Sequence, residues 1–227
     1  EPSIGGDPIA HPQSAPTGRN LTAIDAEKTP SEEAWEIGVE CAKKIIGEKI
    51  ETTGDYPKKV AVSLWGGEFI RTEGVSFAMI CYFLGVEPLR NSRGVVHDVA
   101  LIPGEKLGRP RIDVVVQTSG QFRDIAASRI SLINKAVKLA SEANDPPGAA
   151  NYVKEGTLAA EITMKHKGLS PLDARAFSTA RVFGGVDGAY GTGIMGMVEA
   201  GNTWESDKEI AERYIGNMGA IYTDDHW

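Results

Sequence analysis

Residues 59–84 read KVAVSLWGGEFIRTEGVSFAMICYFL, and residues 108–124 read GRPRIDVVVQTSGQFRD. Each stretch contains an apolar run, at 60–65 and 112–118, and the β-branched residues of these runs are typical of buried strands. A turn of small residues follows each run, and charge follows the turn. Ligands of open α/β sheets bind beyond the carboxyl ends of the strands. The two stretches therefore predict an α/β fold with a candidate site just after its strands.

Charged residues follow both turns at short spacing. Glu68, Arg71 and Glu73 come after the first turn, and Arg123 and Asp124 come after the second. Together the arginines suit a ligand with carboxylates, because a guanidinium binds a carboxylate through two parallel hydrogen bonds. Taken singly, each arginine is predicted to lie at the surface, with nearby carboxylates as salt-bridge partners. The same prediction applies to the other arginines near the strand ends, namely Arg90, Arg93, Arg109 and Arg111.

The pattern of the remaining apolar residues gives the fold class. Helices are predicted at 75–84 and 125–143, and a further strand at 95–102. An earlier helix begins at a T-P-S-E capping box over residues 29–32, with Thr29 as the cap, and ends near Gly54. The order strand, helix, strand, strand, helix predicts a mainly parallel sheet with flanking helices, in a Rossmann-like α/β arrangement.

The composition changes along the chain predict three segments. Residues 1–30 are rich in Pro and Gly and are expected to form an extended arm or linker. Residues 31–148 form the predicted α/β domain. Residues 149–227 are predicted to be mostly helical with a Gly-rich loop, either as a separate part or within the same domain. The lack of an initial Met favours a fragment of a longer protein.

The Gly-rich loop lies between two predicted helices. One helix starts at a Ser170 cap and stops at 184–185, and the other starts at Ser206 with Glu209. The loop contains G-T-G-I-M-G at 191–196, which matches the dinucleotide fingerprint only if a strand precedes it inside a βαβ unit. A predicted helix ending at Phe183 argues against that context, although a nucleotide-dependent α/β enzyme remains an alternative. The favoured interpretations are a flexible loop, or a lid or wall for a flat ligand formed by Gly191 and Gly193.

Charge and motifs argue against several classes of function. A net charge of −7 argues against a nucleic-acid partner, which needs a positive surface, and no apolar run is long enough to span a bilayer. The sequence lacks a P-loop, so any ATP hydrolysis belongs to another polypeptide. None of the four histidines has a partner at metal-ligand spacing, so no metal site is predicted. Cys41 and Cys81 are predicted to be buried, reduced thiols of a cytoplasmic protein.

Long stretches of this sequence resemble the large, tetrapyrrole-handling subunit of cobaltochelatase and magnesium chelatase. LWGGEFIRTEG is similar to the family's L-W-G-T-E-x-I-R-x-x-G, with Gly67 in place of Thr. GRPRIDVVVQTSGQFRD follows the family pattern nearly throughout. The other matching stretches are PTGRN at 16–20, LGVEPL at 84–89, ARVFGGVDGAYGTGI at 180–194 and NTWESDKEIAERYIGNMGAIY at 202–222.

The resemblance implies metal insertion into a tetrapyrrole. The segment R-T-E-G-V-S at 71–76 is more similar to the cobalt branch of the family, which implies a corrin precursor as substrate and cobalt as the substrate ion. The alternative is magnesium with a porphyrin. ATP would be used by partner AAA+ motor subunits. The family's His-Gly-x-His-Gly segment is absent from this chain, and the family subunit is several times longer. The chain thus resembles one part of that subunit, with the rest of the subunit as a partner.

The resemblance also suggests roles for the candidate residues. Glu68 and Glu73 would be acidic groups that face the ring. Arg71 and Arg123 would orient its peripheral groups, and Asp124 would position Arg123. The alternative is a structural or motor-docking module, with all chemistry elsewhere in the subunit.

Overall fold

The computed structural model describes residues 24–186, 191–201 and 204–223, which form an α/β fold. A 3₁₀ turn at Ala26–Lys28 comes first. The helices are α1 (Glu32–Thr53), α2 (Gly66–Thr72), α3 (Val75–Leu84), α4 (Gly104–Leu107), α5 (Gly120–Ser141), α6 (Tyr152–His166), α7 (Pro171–Phe177), α8 (Met195–Ala200) and α9 (Asp207–Asn217). The strands are β1 (Lys59–Leu64), β2 (Val86–Arg90), β3 (Val96–Leu101), β4 (Asp113–Thr118), β5 (Val182–Gly184) and β6 (Ala220–Ile221).

The main sheet has the strand order β1-β4-β5-β6. β4 pairs in parallel with β1 and β5, and β6 runs antiparallel to β5. The predicted fold class, a mainly parallel sheet with flanking helices, is confirmed. The strands predicted at 60–65 and 112–118 become its adjacent strands β1 and β4.

The strand predicted at 95–102 lies outside this sheet. It forms β3, which pairs antiparallel with β2 in a separate two-stranded sheet. No strand was predicted at β2, because its sequence VEPLR contains a proline, and proline removes a ladder donor. Only one side of the pair faces the core, through Val86, Val96 and Val99, and this fits a peripheral hairpin.

The hydrophobic core lies on one face of the main sheet. Val62 and Leu64 of β1 and Val114 and Val116 of β4 point to this face and are buried. Helices α3 and α5 cover it with fully buried side chains such as Phe77, Phe83, Ile130 and Ile133. The predicted helix at 75–84 is therefore α3, and Gly85 ends it with a left-handed conformation.

The N-cap of helix α1 lies two residues after the predicted cap, Thr29. The Ser31 side chain accepts the Ala34 N–H at 3.1 Å, so Ser31 is the cap. Thr29 instead ends the preceding 3₁₀ turn, where its hydroxyl donates to the carbonyl of Ala26. The helix ends at Gly54 as predicted, with a positive φ of 77°.

Helix α5 starts five residues earlier than predicted. The Ser119 hydroxyl accepts the Phe122 N–H at 3.1 Å and caps the helix at Gly120. The apolar pattern used for the prediction begins only at Ile125, and it missed this first turn. Arg123 and Asp124 consequently lie on the helix, ahead of its predicted start.

The prediction of a helix running to 184–185 is wrong. Ser170 caps α7 as predicted, but α7 ends at Phe177 and Val182–Gly184 forms β5. Three residues are too short to show a periodicity of two. Since β5 pairs with β4, the last third of the chain contributes to the main sheet. The division into three segments stays a prediction, and most of the first segment lies outside the described residues.

Among the described residues, four arginines are buried, although surface positions were predicted for two of them. Arg111 and Arg129 are each 1% exposed, and Arg123 and Arg181 are also buried. Arg111 binds Asp145 through Nε and Nη2 and donates to the carbonyls of residues 84, 85 and 102. This arginine joins α3, the end of β3 and the start of β4, because its fork can serve several acceptors at once.

Only one of the two cysteines is buried as predicted. Cys81 on α3 is buried, and burial raises the pKa of its thiol to about 12. Cys41 on α1 is exposed, so the prediction of a buried thiol there is wrong. The apolar residues around Cys41 in the sequence face the core, whereas Cys41 itself lies on the outer side of the helix.

Two glycines of α1 should respond to alanine in opposite ways. A Cβ on Gly38 would lie 2.5 Å from the Cβ of Ala78 and 2.8 Å from the Val75 carbonyl of α3, whereas nothing lies within 4 Å of one on Gly47. We expect Gly38→Ala to destabilise the chain by about 1–3 kcal/mol through overpacking. Gly47→Ala should stabilise it by about 0.5–1 kcal/mol through reduced backbone entropy of the unfolded chain. Urea unfolding of both variants tests this, and equal effects would contradict the close α1–α3 contact.

Candidate functional site

The turns after β1 and β4 lie side by side at the carboxyl edge of the main sheet. The Ser119 hydroxyl accepts the Gly66 N–H at 3.2 Å, across the two turns. The rings of Phe69 on α2 and Phe122 on α5 meet edge to face, with their centroids 4.8 Å apart. The first turns of α2 and α5 are therefore neighbours. This arrangement brings the segment of Glu68 and Arg71 to the segment of Arg123 and Asp124.

Arg123 is held at this edge by partners from three parts of the chain. Its Nε donates to Asp124 at 3.0 Å, and its Nη1 donates to the Tyr222 hydroxyl at 3.3 Å and to the Val186 carbonyl at 3.4 Å. The hydrogen bond to Tyr222, followed by that to Asp124, raises the pKa of Arg123. The guanidinium thus stays charged in one orientation, with 8% of the residue exposed.

Tyr222 belongs to this site, and sequence reasoning missed it. The residue is buried directly after β6, and its hydroxyl donates to the Gly185 carbonyl beyond β5. A Cβ on Gly184 would lie 2.7 Å from the Tyr222 ring, so glycine makes room for this packing. No motif marks Tyr222 in the sequence. The only signal was its place at the end of a stretch that resembles the family.

Glu68 on α2 has one partnered and one unpartnered carboxylate oxygen. Oε1 accepts the Thr72 hydroxyl at 2.8 Å. Oε2 is buried from solvent and has no hydrogen-bond partner in the described part of the chain. A buried, unpartnered carboxylate oxygen is costly, so this atom is suited to accept a proton or a hydrogen bond from a ligand.

Arg71 and Glu73 are more loosely placed than Glu68. Both are exposed, and in residues 24–186, 191–201 and 204–223 neither side chain forms a hydrogen bond or an ion pair. Glu73 ends α2 with a positive φ of 55°, and its carbonyl accepts the Ser31 N–H at 3.1 Å. The backbone at Glu73 is therefore fixed against the start of α1, while the two charged groups reach solvent near the same edge.

The Gly-rich loop meets the candidate residues at its start, where Arg123 Nη1 donates to the Val186 carbonyl at 3.4 Å. Gly191 and Gly193 are exposed, and Asn217 of α9 donates to the Thr192 carbonyl at 3.0 Å. Gly193 has a positive φ of 75°, and a Cβ there would collide with the Asn217 side chain. These contacts give a structural reason for that glycine. Residues 187–190 of the Gly-rich loop lie outside the described residues.

The nucleotide interpretation of this loop lacks its required context. A strand, β5, precedes the loop, so the predicted helix ending at Phe183 is wrong. The next strand after the loop is β6, which runs antiparallel to β5, whereas the fingerprint needs a parallel βαβ unit. In the described ranges, three or more His, Cys, Asp or Glu residues do not gather as a metal site, and no helix is long and apolar enough to cross a bilayer. Asp224, Asp225 and His226 lie outside those ranges.

A cleft of about 450 Å³ lies elsewhere, between α5, α6 and α7. Its charged lining is mixed, with Lys138, Lys154 and Arg175 facing Glu142 and Glu161. The lining from α5 comes from the end of the helix opposite to Arg123. Its lining also includes Thr223, the residue after Tyr222.

Comparisons with known proteins agree on one family. The model of the family CobN/Magnesium Chelatase matches residues 1–227. The chain is 34% identical to magnesium-chelatase subunit ChlH of Oryza sativa subsp. indica, over 98% of this chain and 15% of that protein. It is 32% identical to aerobic cobaltochelatase subunit CobN of Pseudomonas aeruginosa, over 91% of this chain and 16% of that protein.

A solved structure shares the fold. The catalytic subunit of cobaltochelatase from Mycobacterium tuberculosis matches with a TM-score of 0.83 and 32% identity, over 93% of this chain and 17% of that one. The chain thus spans less than a fifth of the length of each of these relatives.

Proposed function

The chain belongs to the CobN/magnesium chelatase family, and we propose that it is part of the large, tetrapyrrole-binding subunit of an ATP-dependent cobaltochelatase. The complete cytoplasmic complex inserts cobalt, its substrate ion, into a corrin precursor during cobalamin biosynthesis. AAA+ motor subunits use the ATP, in line with the lack of a P-loop in this chain. This chain by itself is inactive and acts together with the rest of the large subunit.

One observation carries the proposed site. The Ser119–Gly66 hydrogen bond joins the turns after β1 and β4. At this edge of the sheet lie an oriented guanidinium and a carboxylate oxygen that has no partner among the described residues. The carboxyl ends of parallel strands are where open α/β sheets bind ligands. A tetrapyrrole with carboxylate side groups matches both features, since it offers N–H groups to a carboxylate and carboxylates to arginines.

Metal insertion sets two chemical demands that these residues can meet. The pyrrolic N–H protons must leave, and a positioned carboxylate can accept them as a general base. We assign this role to Glu68, whose Oε2 is buried and unpartnered in the described chain, with the exposed Glu73 as a second acidic group. The incoming ion must also lose water, and weak oxygen ligands ease that exchange.

The remaining candidate residues bind and orient the ring. Arg71 and Arg123 hold its peripheral carboxylates, and the ion pair at 3.0 Å lets Asp124 orient Arg123. Tyr222 adds a second constraint on the same guanidinium. Gly191 and Gly193 contribute backbone to the wall of the site.

The choice of cobalt rests on the segment R-T-E-G-V-S at 71–76, which resembles the cobalt branch. The alternative is an H-type subunit that inserts magnesium into protoporphyrin. That alternative is favoured by the magnesium-chelatase relative at 34% identity, which is close to the 32% of the cobaltochelatase relative. The two proposals share the site and differ in the ring and the ion.

Quenching of Trp65 fluorescence tests the proposal. Trp65 directly precedes α2 at the candidate site. We expect saturable quenching by metal-free hydrogenobyrinic acid a,c-diamide, with an affinity at least about tenfold above that for protoporphyrin, a difference of about 1.4 kcal/mol. The quenching should largely vanish in Trp65→Phe, whereas Trp35→Phe on α1 is the matched control and should retain it.

The other outcomes select among the alternatives. A preference for protoporphyrin would favour the magnesium branch. No binding of either ring would favour a structural or motor-docking module and would count against the assigned site. Thermal stabilisation by a dinucleotide alone would favour the nucleotide-dependent enzyme, because a ligand of the folded state raises its apparent stability.

A further inference from the structure

The second face of the main sheet lacks the helical cover of the first. The register pairs Ala61 with Val115, Ser63 with Gln117, and Gln117 with Phe183. These five residues alternate with the core residues of their strands, so they point to the opposite side. We call them, together with Ile221 beside Phe183 on β6, the open face.

Helix α6 covers only the amino-terminal end of this second face. There the Asp113 carboxylate binds Arg181 at 2.7 Å, and a Cβ on Gly156 of α6 would collide with Asp113. Farther along the strands, Ala61 and Ser63 are exposed, and Ile221 is 36% exposed. Val115, Gln117 and Phe183 are partly exposed. In the described part of the chain, the open face is therefore only partly covered over the carboxyl half of the strands, and least along β1.

Two features distinguish the open face from an ordinary solvent-exposed surface. Parallel sheets are normally covered on both faces, because each face contributes apolar side chains to a core. Apart from Ile221 on β6, the open face belongs to the parallel part of the sheet. The Oε1 atom of Gln117 is buried from solvent and lacks a hydrogen-bond partner in the described residues, although a buried amide oxygen normally has one.

We propose that the open face is an intramolecular docking surface, covered by a segment of the large subunit that lies outside these 227 residues. The relatives provide that segment, since this chain spans only 15–17% of their lengths. The small side chains of Ala61 and Ser63 allow close approach of a packed layer, and Gln117 offers an acceptor to it. The inference rests on membership of the family and does not depend on which ring or ion is bound.

Thiol labelling in the full-length large subunit tests this cover. Ser63→Cys places a thiol on the open face, and Val62→Cys places one on the buried face of the same strand as a matched control. We expect both thiols to react with a maleimide at least about 10²-fold more slowly in the native subunit than in urea, because labelling requires local opening. Peptide mass spectrometry separates each site from other cysteines. Rapid native labelling of Ser63→Cys, with Val62→Cys still protected, would overturn the proposal.

Cross-linking identifies the covering chain. A photoreactive diazirine amino acid at Ser63 should cross-link, in the assembled complex, to a segment of the same polypeptide outside the 227 residues. A cross-link to a second copy of the subunit or to an ATPase subunit would assign a different occupant and reject the intramolecular interface. Because neither measurement includes a tetrapyrrole, failure here is distinguishable from failure of the proposed ligand site.

Discussion

Arg111→Ala is expected to lower the free energy of unfolding of this chain by about 3–5 kcal/mol, the range measured when one partner of a buried ion pair is removed. Arg111 is 1% exposed and binds Asp145 at 2.8 Å. Its loss leaves the Asp145 carboxylate buried without its cation and removes donors from the carbonyls of Leu84, Gly85 and Ile102. Urea unfolding measures the change.

Two further variants make this prediction specific. Arg93→Ala removes an exposed arginine of the same region and should change stability by less than about 0.5 kcal/mol. Combining Arg111→Met with Asp145→Leu removes both charges and should recover much of the loss, because the stranded carboxylate is the main cost. A change below 1 kcal/mol for Arg111→Ala, on the scale of an exposed ion pair, would contradict the buried network.

Glu68→Gln should reduce the rate of metal insertion by the full complex about 10²–10⁴-fold, the usual contribution of a general base. Glutamine keeps the size of the side chain and can still accept the Thr72 hydroxyl, but it cannot take a proton from the ring. Ring affinity should stay within about threefold, since the altered step follows binding. Single-turnover insertion, followed by the absorbance of the metallated ring, measures the rate.

The controls separate catalysis from binding and from folding. Glu51→Gln changes an exposed carboxylate at the end of α1 and should leave both quantities unchanged. Arg71→Ala should weaken ring binding while the insertion rate at saturating ring is retained. If Glu68→Gln and Arg71→Ala both matched the unaltered subunit in affinity and rate, the proposed site would have to be abandoned.

The parts of the fold with strong local signals were predictable from sequence. β4 was found because Val114, Val115 and Val116 are β-branched in succession, and α3 because an apolar run ends at Gly85. β5 was missed because three residues are too few to show the alternation of buried and exposed side chains that marks a strand. Its pairing with β4 depends on tertiary contacts. The β2–β3 hairpin was missed because Pro88 is unfavourable in a strand except at an edge or bulge.

The adjacency of the two candidate turns was predictable but their contacts were not, and the site itself stays a prediction. The turns after β1 and β4 marked the edge, because a parallel pair brings its carboxyl ends together. The burial of Arg111 and Arg123 could not be predicted, because the sequence does not distinguish an arginine in a surface salt bridge from one in a buried network. Tyr222 was not visible either, because its partner Arg123 lies 99 residues away in the sequence.

That separation of 99 residues between Arg123 and Tyr222 also bears on how the protein is made. Contacts between residues far apart in the sequence tend to form late in folding. The chain between them must first close into a long loop, which costs conformational entropy. During synthesis, β1, β4 and the first turn of α5 emerge well before Tyr222 is translated. The guanidinium therefore lacks its phenolic partner in the nascent chain, and the carboxyl edge of the sheet reaches its final form only near the end of translation of this region.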